Sequence, residues 1–152
     1  MWDMKYSPDG KRLAVFLVYH DGGHRQSVLL TLNAVNYQIM DRLDLAVNMP
    51  QLADDRIRSD FSWMPDGTIE FLNYLPGNSL FLSELVQYNP ETHTLRTLLR
   101  WHDLYLMRAY SPDGNWLAYR NDRNLWLLDL RTPHAPLKIA TFEDTFYIKS
   151  WK

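Results

Sequence analysis

Cysteine is absent from the 152 residues, so neither disulfides nor thiolate chemistry contributes to this protein. That absence suits cytoplasm and periplasm alike and leaves the compartment open. Charge of one sign is also scarce: the formal net charge is −2, with no long basic or acidic run. Nothing here provides the electrostatic footprint that binds nucleic acid or an anionic membrane. No apolar stretch approaches the ~18 residues of a membrane helix. The opening Met1-Trp2-Asp3-Met4-Lys5 lacks the charged and apolar regions of a signal peptide. Missing too are the Gly-x-Ser-x-Gly elbow of hydrolases and the glycine patterns that cradle phosphates. What remains is 46% hydrophobic and 14% aromatic, enough for a packed core in a single domain of this length.

One four-residue pattern recurs. Ser7-Pro8-Asp9-Gly10 returns as Met64-Pro65-Asp66-Gly67 and as Ser111-Pro112-Asp113-Gly114. An aromatic precedes each copy (Tyr6, Trp63, Tyr110), and an apolar strand pattern follows: Leu13 to Phe16, Ile69 to Leu72, Leu117 to Tyr119. Proline presets φ near about −65° for a type I turn, and Asp accepts bonds from nearby backbone. Gly takes a left-handed conformation that returns the chain antiparallel. Each copy therefore predicts a tight hairpin at the same phase of a repeat.

The strands around these hairpins form three meanders. The first runs through a lead-in to Tyr6, then Lys11 to His20, Ser27 to Asn33 and a more polar edge strand from Tyr37 to Leu45. A connector from Ala46 to Ser59, with Pro50 and Asp54-Asp55-Arg56, leads to the second. That unit has Asp60 to Trp63, Thr68 to Tyr74, Leu80 to Tyr88 and Thr94 to Trp101, with Asn89-Pro90-Glu91-Thr92 as its last turn. The third has Leu106 to Tyr110, Asn115 to Arg120, Leu125 to Leu130 and Leu137 to Phe142. Phe146 to Trp151 then repeats the lead-in of a fourth, with Ser150-Trp151 matching Ser62-Trp63. The prolines of successive turns lie 57 and 47 residues apart. Periods near 40–50 residues with four strands each are those of propeller blades. A β-sandwich, the competing all-β reading, does not require one turn motif at one phase of every unit.

The aromatic, Ser-Pro-Asp-Gly, a short spacer and Leu-Ala, as in Tyr6 to Ala14 and Tyr110 to Ala118, resemble the repeats of TolB-type propellers. Similar repeats occur in the propeller domains of prolyl-oligopeptidase-like peptidases. The middle copy departs, with Met64 for Ser and Ile69-Glu70 for Leu-Ala. The resemblance implies an all-β partial propeller over 1–152, with blades at about 1–45, 58–101 and 106–142 and an extra strand over 145–151. Such propellers usually have six or more blades. Three blades and a lead-in therefore imply either a piece of a longer chain or a homodimer completing a six-bladed ring.

No residue set amounts to a catalytic assignment. His20-Asp21-Gly22-Gly23-His24 has metal-ligand residue types, but one loop needs further ligands to close a site. It is read as a polar hairpin tip, and no metal or cofactor is expected. Asp54-Asp55 reads as a solvated connector, and His93, His102 and His134 as isolated surface residues. Asp9, Asp66 and Asp113 recur at one phase, as structural turn residues do; Trp63, Trp116, Trp126 and Trp151 fall on strands and fill space. In a propeller the first strand of each blade lines the central channel. Those strands and their approaches carry Asp3, Lys5, Arg58, Asp60, Arg108 and Lys149, the candidate ligand-binding residues. The expected function is a non-enzymatic binding or scaffolding module with a ligand or peptide at the channel. The alternative is the propeller segment of a larger peptidase-like enzyme that gates its substrate.

Overall fold

The computed structural model describes residues 2–21, 24–45, 61–75, 82–101, 107–132, 135–144 and 146–148. Among them, twelve strands form three antiparallel four-stranded meanders. The first contains β1 (Trp2–Tyr6), β2 (Arg12–Asp21), β3 (His24–Asn33) and β4 (Ile39–Asp44). The second contains β5 (Phe61–Trp63), β6 (Ile69–Leu75), β7 (Leu82–Asn89) and β8 (Thr94–Trp101). The third contains β9 (Met107–Tyr110), β10 (Trp116–Asn121), β11 (Asn124–Asp129) and β12 (Leu137–Thr141). The sheets are the three expected blades. The chain divides into two units, Met1–His102 with the first two blades and Asp103–Lys152 with the third.

The Pro-Asp-Gly turns occupy equivalent places. Gly10 N donates to Ser7 O at 2.9 Å, Gly67 N to Met64 O at 3.0 Å, and Gly114 N to Ser111 O at 2.9 Å. All three glycines are left-handed, with φ of 69°, 80° and 71°. In the outer copies the serine is part of the turn. Its hydroxyl donates to the Asp carboxylate, at 2.6 Å from Ser7 to Asp9 and 2.5 Å from Ser111 to Asp113. It also accepts from the backbone N of Arg12 or Trp116. These bonds favour the ionised carboxylate. Asp9 is held below the usual carboxylate range, first by Ser7 and then by Lys11 N. Asp113 is brought to about 2, first by Ser111 and then by Asn115.

The middle copy meets the same need differently. Met64 N closes on Thr68 O, one residue earlier than in the other turns. Thr68 then supplies the hydroxyl, donating to Asp66 at 2.6 Å. Met64, relieved of that role, is buried in the core. Gln87 on β7 ties the turn to the sheet by donating to Thr68 Oγ1 at 2.6 Å.

A second repeated device lies at the same end of the blades, where Ala34 N donates to Lys11 O at 2.9 Å. Asn33 Oδ1 accepts from Val35 N and Asn36 N, and Asn89 Oδ1 accepts from Glu91 N and Thr92 N. Each asparagine thereby mimics a backbone turn. Each turn ends on a non-glycine residue at positive φ, Tyr37 at 57° and His93 at 56°.

The core of the first unit lies between its blades. Ala14, Phe16, Leu29 and Leu43 from the first blade pack in one cluster with Phe61, Ile69, Phe71, Val86 and Tyr88 from the second. This is why β2 and β3 are apolar on successive residues: one face meets the neighbouring blade while the other is also largely withdrawn from water. The innermost strands meet as well. Trp63 Nε1 donates to Lys5 O at 2.8 Å, and the Lys5 ammonium donates to Phe61 O. In the third blade Leu117, Tyr119, Leu128 and Leu130 are buried, and Tyr119 stacks on Trp126 with ring centroids 6.5 Å apart.

One expectation needs revision. The first hairpin is longer than expected, because Asp21 pairs with His24 and both strands run to its tip. Of the additional strand expected over 145–151, only Phe146, Tyr147 and Ile148 are described, and these three have no strand pairing. The segment is held to its own blade by side chains instead of a ladder. Phe146 sits with its ring centroid 4.2 Å from that of Phe142, and Arg120 Nη1 donates to Phe146 O at 2.7 Å. The connector over 46–60 lies outside the described residues.

Candidate functional site

The two turn devices of the first unit bring together groups that are far apart in sequence. The first Pro-Asp-Gly turn places Asp9, Lys11 and Arg12 at one edge of a groove of about 650 Å3. Thr31 and Asn33 from the end of β3, and Met40 and Asp41 from the start of β4, form its floor. The asparagine-led turn of the second blade adds Pro90, Glu91 and His93 as the far wall.

Asp41 is the buried charge of this site, with its side chain 6% exposed. It lies on an edge strand, where the sequence pattern led us to expect solvent. Two groups of the second blade compensate it. Tyr88 donates its hydroxyl to Oδ2 at 2.7 Å, and His93 Nδ1 stands 3.0 Å from Oδ1. His93 Nδ1 thus faces the carboxylate and can donate to it. Burial, followed by the bond to Asp41 and its charge, pushes the Tyr88 phenol well above the usual tyrosine range. Beneath them, Thr31, paired in register with Asp41, is buried. Its Oγ1 has no hydrogen-bond partner among the described residues.

Arg12 is held in place at the other edge. Its guanidinium carbon lies 5.0 Å from the centre of the Trp63 ring, and its side chain is only 17% exposed. Its Nη1 reaches Glu91 Oε1 at 3.3 Å, and that glutamate is 77% exposed. The groove thus presents side chains of both charges, Lys11 and Arg12 facing Asp9, Asp41 and Glu91.

The six channel candidates have mixed outcomes. Arg58, Asp60 and Lys149 lie outside the described residues. Asp3 and Lys5 share one side of β1, where Asp3 Oδ1 accepts from Met4 N at 2.8 Å. Lys5 lies over the Phe61 ring at 5.0 Å and bridges two blades, so its ammonium already has a protein partner. Arg108 is on β9 in the second unit. Of the metal candidates, His20 and Asp21 end β2. Sequence reasoning missed the groove. It took His93 for an isolated surface residue and Asp41 for part of a polar edge. The available signal was the asparagine shared by Asn33 and Asn89 at the ends of equivalent strands, which aligns the two turns and sets His93 at the blade boundary.

No family model and no curated protein matches the chain. Solved propellers do. Over 95% of this chain and 33% of the other, it is similar to TolB from Acinetobacter baumannii, with a TM-score of 0.59 and 19% identity. Similarity to the β-propeller domain of the Trilobed protease from Pyrococcus furiosus covers 90% of this chain and 42% of that one, with a TM-score of 0.61 and 13% identity. Porphyromonas gingivalis dipeptidyl peptidase 4 aligns over 91% of this chain and 19% of its own length, with a TM-score of 0.54 and 14% identity. The chain thus spans less than half of each of these structures, and the likeness establishes the propeller fold.

Proposed function

We propose that this chain is a non-catalytic binding module whose ligand lies in the groove between its first two blades. The observation that carries this reading is the buried Asp41, compensated by Tyr88 and His93 at the floor of a polar groove. Buried charge with matched partners beside an open space is a usual feature of binding sites. The lead-in strands, with Asp3, Lys5, Arg58, Asp60, Arg108 and Lys149, remain the second candidate surface. The test is to follow backbone amide resonances during titration with mixed soluble peptides. Shifts centred on Lys11, Arg12, Thr31, Asn33 and His93 are expected; shifts confined to the lead-in strands would move the site to the channel.

The alternative reading, a propeller segment of a larger peptidase-like enzyme, is favoured by the likeness to the two peptidase propellers. A hydrolase domain encoded in the same reading frame decides for it. We also propose that the chain self-associates through its third blade, an idea supported by the exposure of Leu137 and Ile139 on that sheet.

A further inference from the structure

We infer that the groove receives a single carboxylate carried on a peptide-like ligand, with Arg12 as the receiving group and Glu91 as a built-in occupant that the ligand displaces. The inference rests on reading the groove as a binding site. A guanidinium offers five N–H donors in a fixed fork, and its strong mode is two parallel bonds to one carboxylate. Arg12 is preorganised for that mode by the Trp63 ring beneath it. Yet the acid it meets is one oxygen of Glu91, at 3.3 Å. Glu91 is exposed and sits on a turn, so its pairing is of the weak surface kind and is readily exchanged.

Charge selects the ligand class. Asp9, Asp41 and Glu91 all line the groove with Lys11, Arg12 and His93. When a monocarboxylate takes the place of Glu91, the charge facing Arg12 is unchanged. A phosphate dianion brings surplus negative charge toward Asp9 and Asp41 and is disfavoured. The remaining groups suit a polypeptide. Asn33 has its side-chain oxygen engaged in the turn, so its amide NH2 is what it offers. The Thr31 hydroxyl still lacks a partner among the described residues, and Met40 and Pro90 add apolar surface between the polar groups.

The experiment titrates the labelled protein with Ac-Ala-Glu-Ala-NH2, with Ac-Ala-Gln-Ala-NH2 and with inorganic phosphate, at one ionic strength and millimolar probe. The Glu peptide is expected to shift the amides of Lys11, Arg12, Thr31, Asn33 and His93 and to bind several-fold tighter than the Gln peptide. Glu91→Gln should tighten the Glu peptide roughly 2–5-fold, the worth of an exposed ion pair. Arg12→Lys, which keeps charge but loses the fork, should weaken it. A gain of affinity cannot arise from misfolding, so Glu91→Gln is the decisive variant. Equal binding of both peptides in the groove overturns the carboxylate inference while leaving the groove as a binding site. No shift of groove amides with either peptide overturns both. Phosphate binding as tightly as the Glu peptide, or a Glu91→Gln protein with unchanged affinity, overturns the choice of a displacing monocarboxylate.

Discussion

Tyr88 and Asp41 form a buried hydrogen bond of 2.7 Å that joins the second blade to the first. Tyr88→Phe removes the donor and leaves the carboxylate short of one partner. A loss of about 1–3 kcal/mol is expected, because the desolvated acceptor is left unsatisfied. Chemical denaturation checks this. A double-mutant cycle with Asp41→Asn should show coupling between the two positions; independent effects would disprove the bond's role.

Alkaline pH should destabilise the fold through its buried phenols. Burial pushes Tyr119 up to about 12 from an ordinary 10.0, and Tyr88 shifts in the same direction. Since the folded values are raised, the neutral phenols stabilise the native state fully below pH 10. For Tyr119 that contribution fades as pH rises from about 10 to about 12. Melting temperatures across this range, compared between the wild type and Tyr119→Phe, should diverge less steeply in the variant.

At the acid end, Ser111→Ala should bring the Asp113 carboxyl from about 2 back toward its ordinary 3.8, since the serine hydroxyl is the largest cause of its depression. The turn's stabilisation is complete above pH 3.8 and is lost as pH falls toward 2. Carboxyl carbon shifts in an NMR pH titration measure this directly. An unmoved titration would assign the depression to Asn115.

The three turn glycines are not equivalent. All have positive φ, so a β-branched residue is strained at each, at roughly 1–3 kcal/mol. A Cβ at Gly10 meets nothing within 4 Å, whereas one at Gly67 lies 2.6 Å from Arg12 Nη2. Gly67→Val should therefore lower the melting temperature more than Gly10→Val and also disturb the groove. Equal melting temperatures would show that Arg12 moves aside freely.

Self-association is expected to use the third blade. Ala14 and Ala118 stand at the same phase of the repeat, yet Ala14 is fully buried and Ala118 only partly so. Ile139, on the same sheet as Ala118, is 50% exposed. Ile139→Glu should weaken the dimer, and light scattering showing a stable wild-type monomer at micromolar concentration rules the dimer out.

The repeat was legible because turn chemistry is local. Pro8, Asp9 and Gly10 specify one backbone path within four residues, and three copies at one phase specify a blade whatever surrounds them. The apolar strand pattern after each turn likewise placed β2, β6 and β10. Even the departure at Met64 has a local answer in Thr68, four residues on.

The groove was not local. Asp41 and Tyr88 are 47 residues apart, and nothing in the pattern of β4 distinguishes a carboxylate facing water from one facing the next blade. The lead-in charges show the same limit: Lys5 reads as a free cation, but packing of β1 beside β5 directs its ammonium to the Phe61 carbonyl. The Phe146 segment has the lead-in pattern of a strand, yet a ladder needs a neighbouring edge, and its described part is held by side chains on its own sheet. Sequence alone determined the turns, the strands and the kind of blade, since these follow from backbone preference and period. Tertiary structure decided which charges are buried and which residues face one another, because those depend on how one blade's surface meets the next.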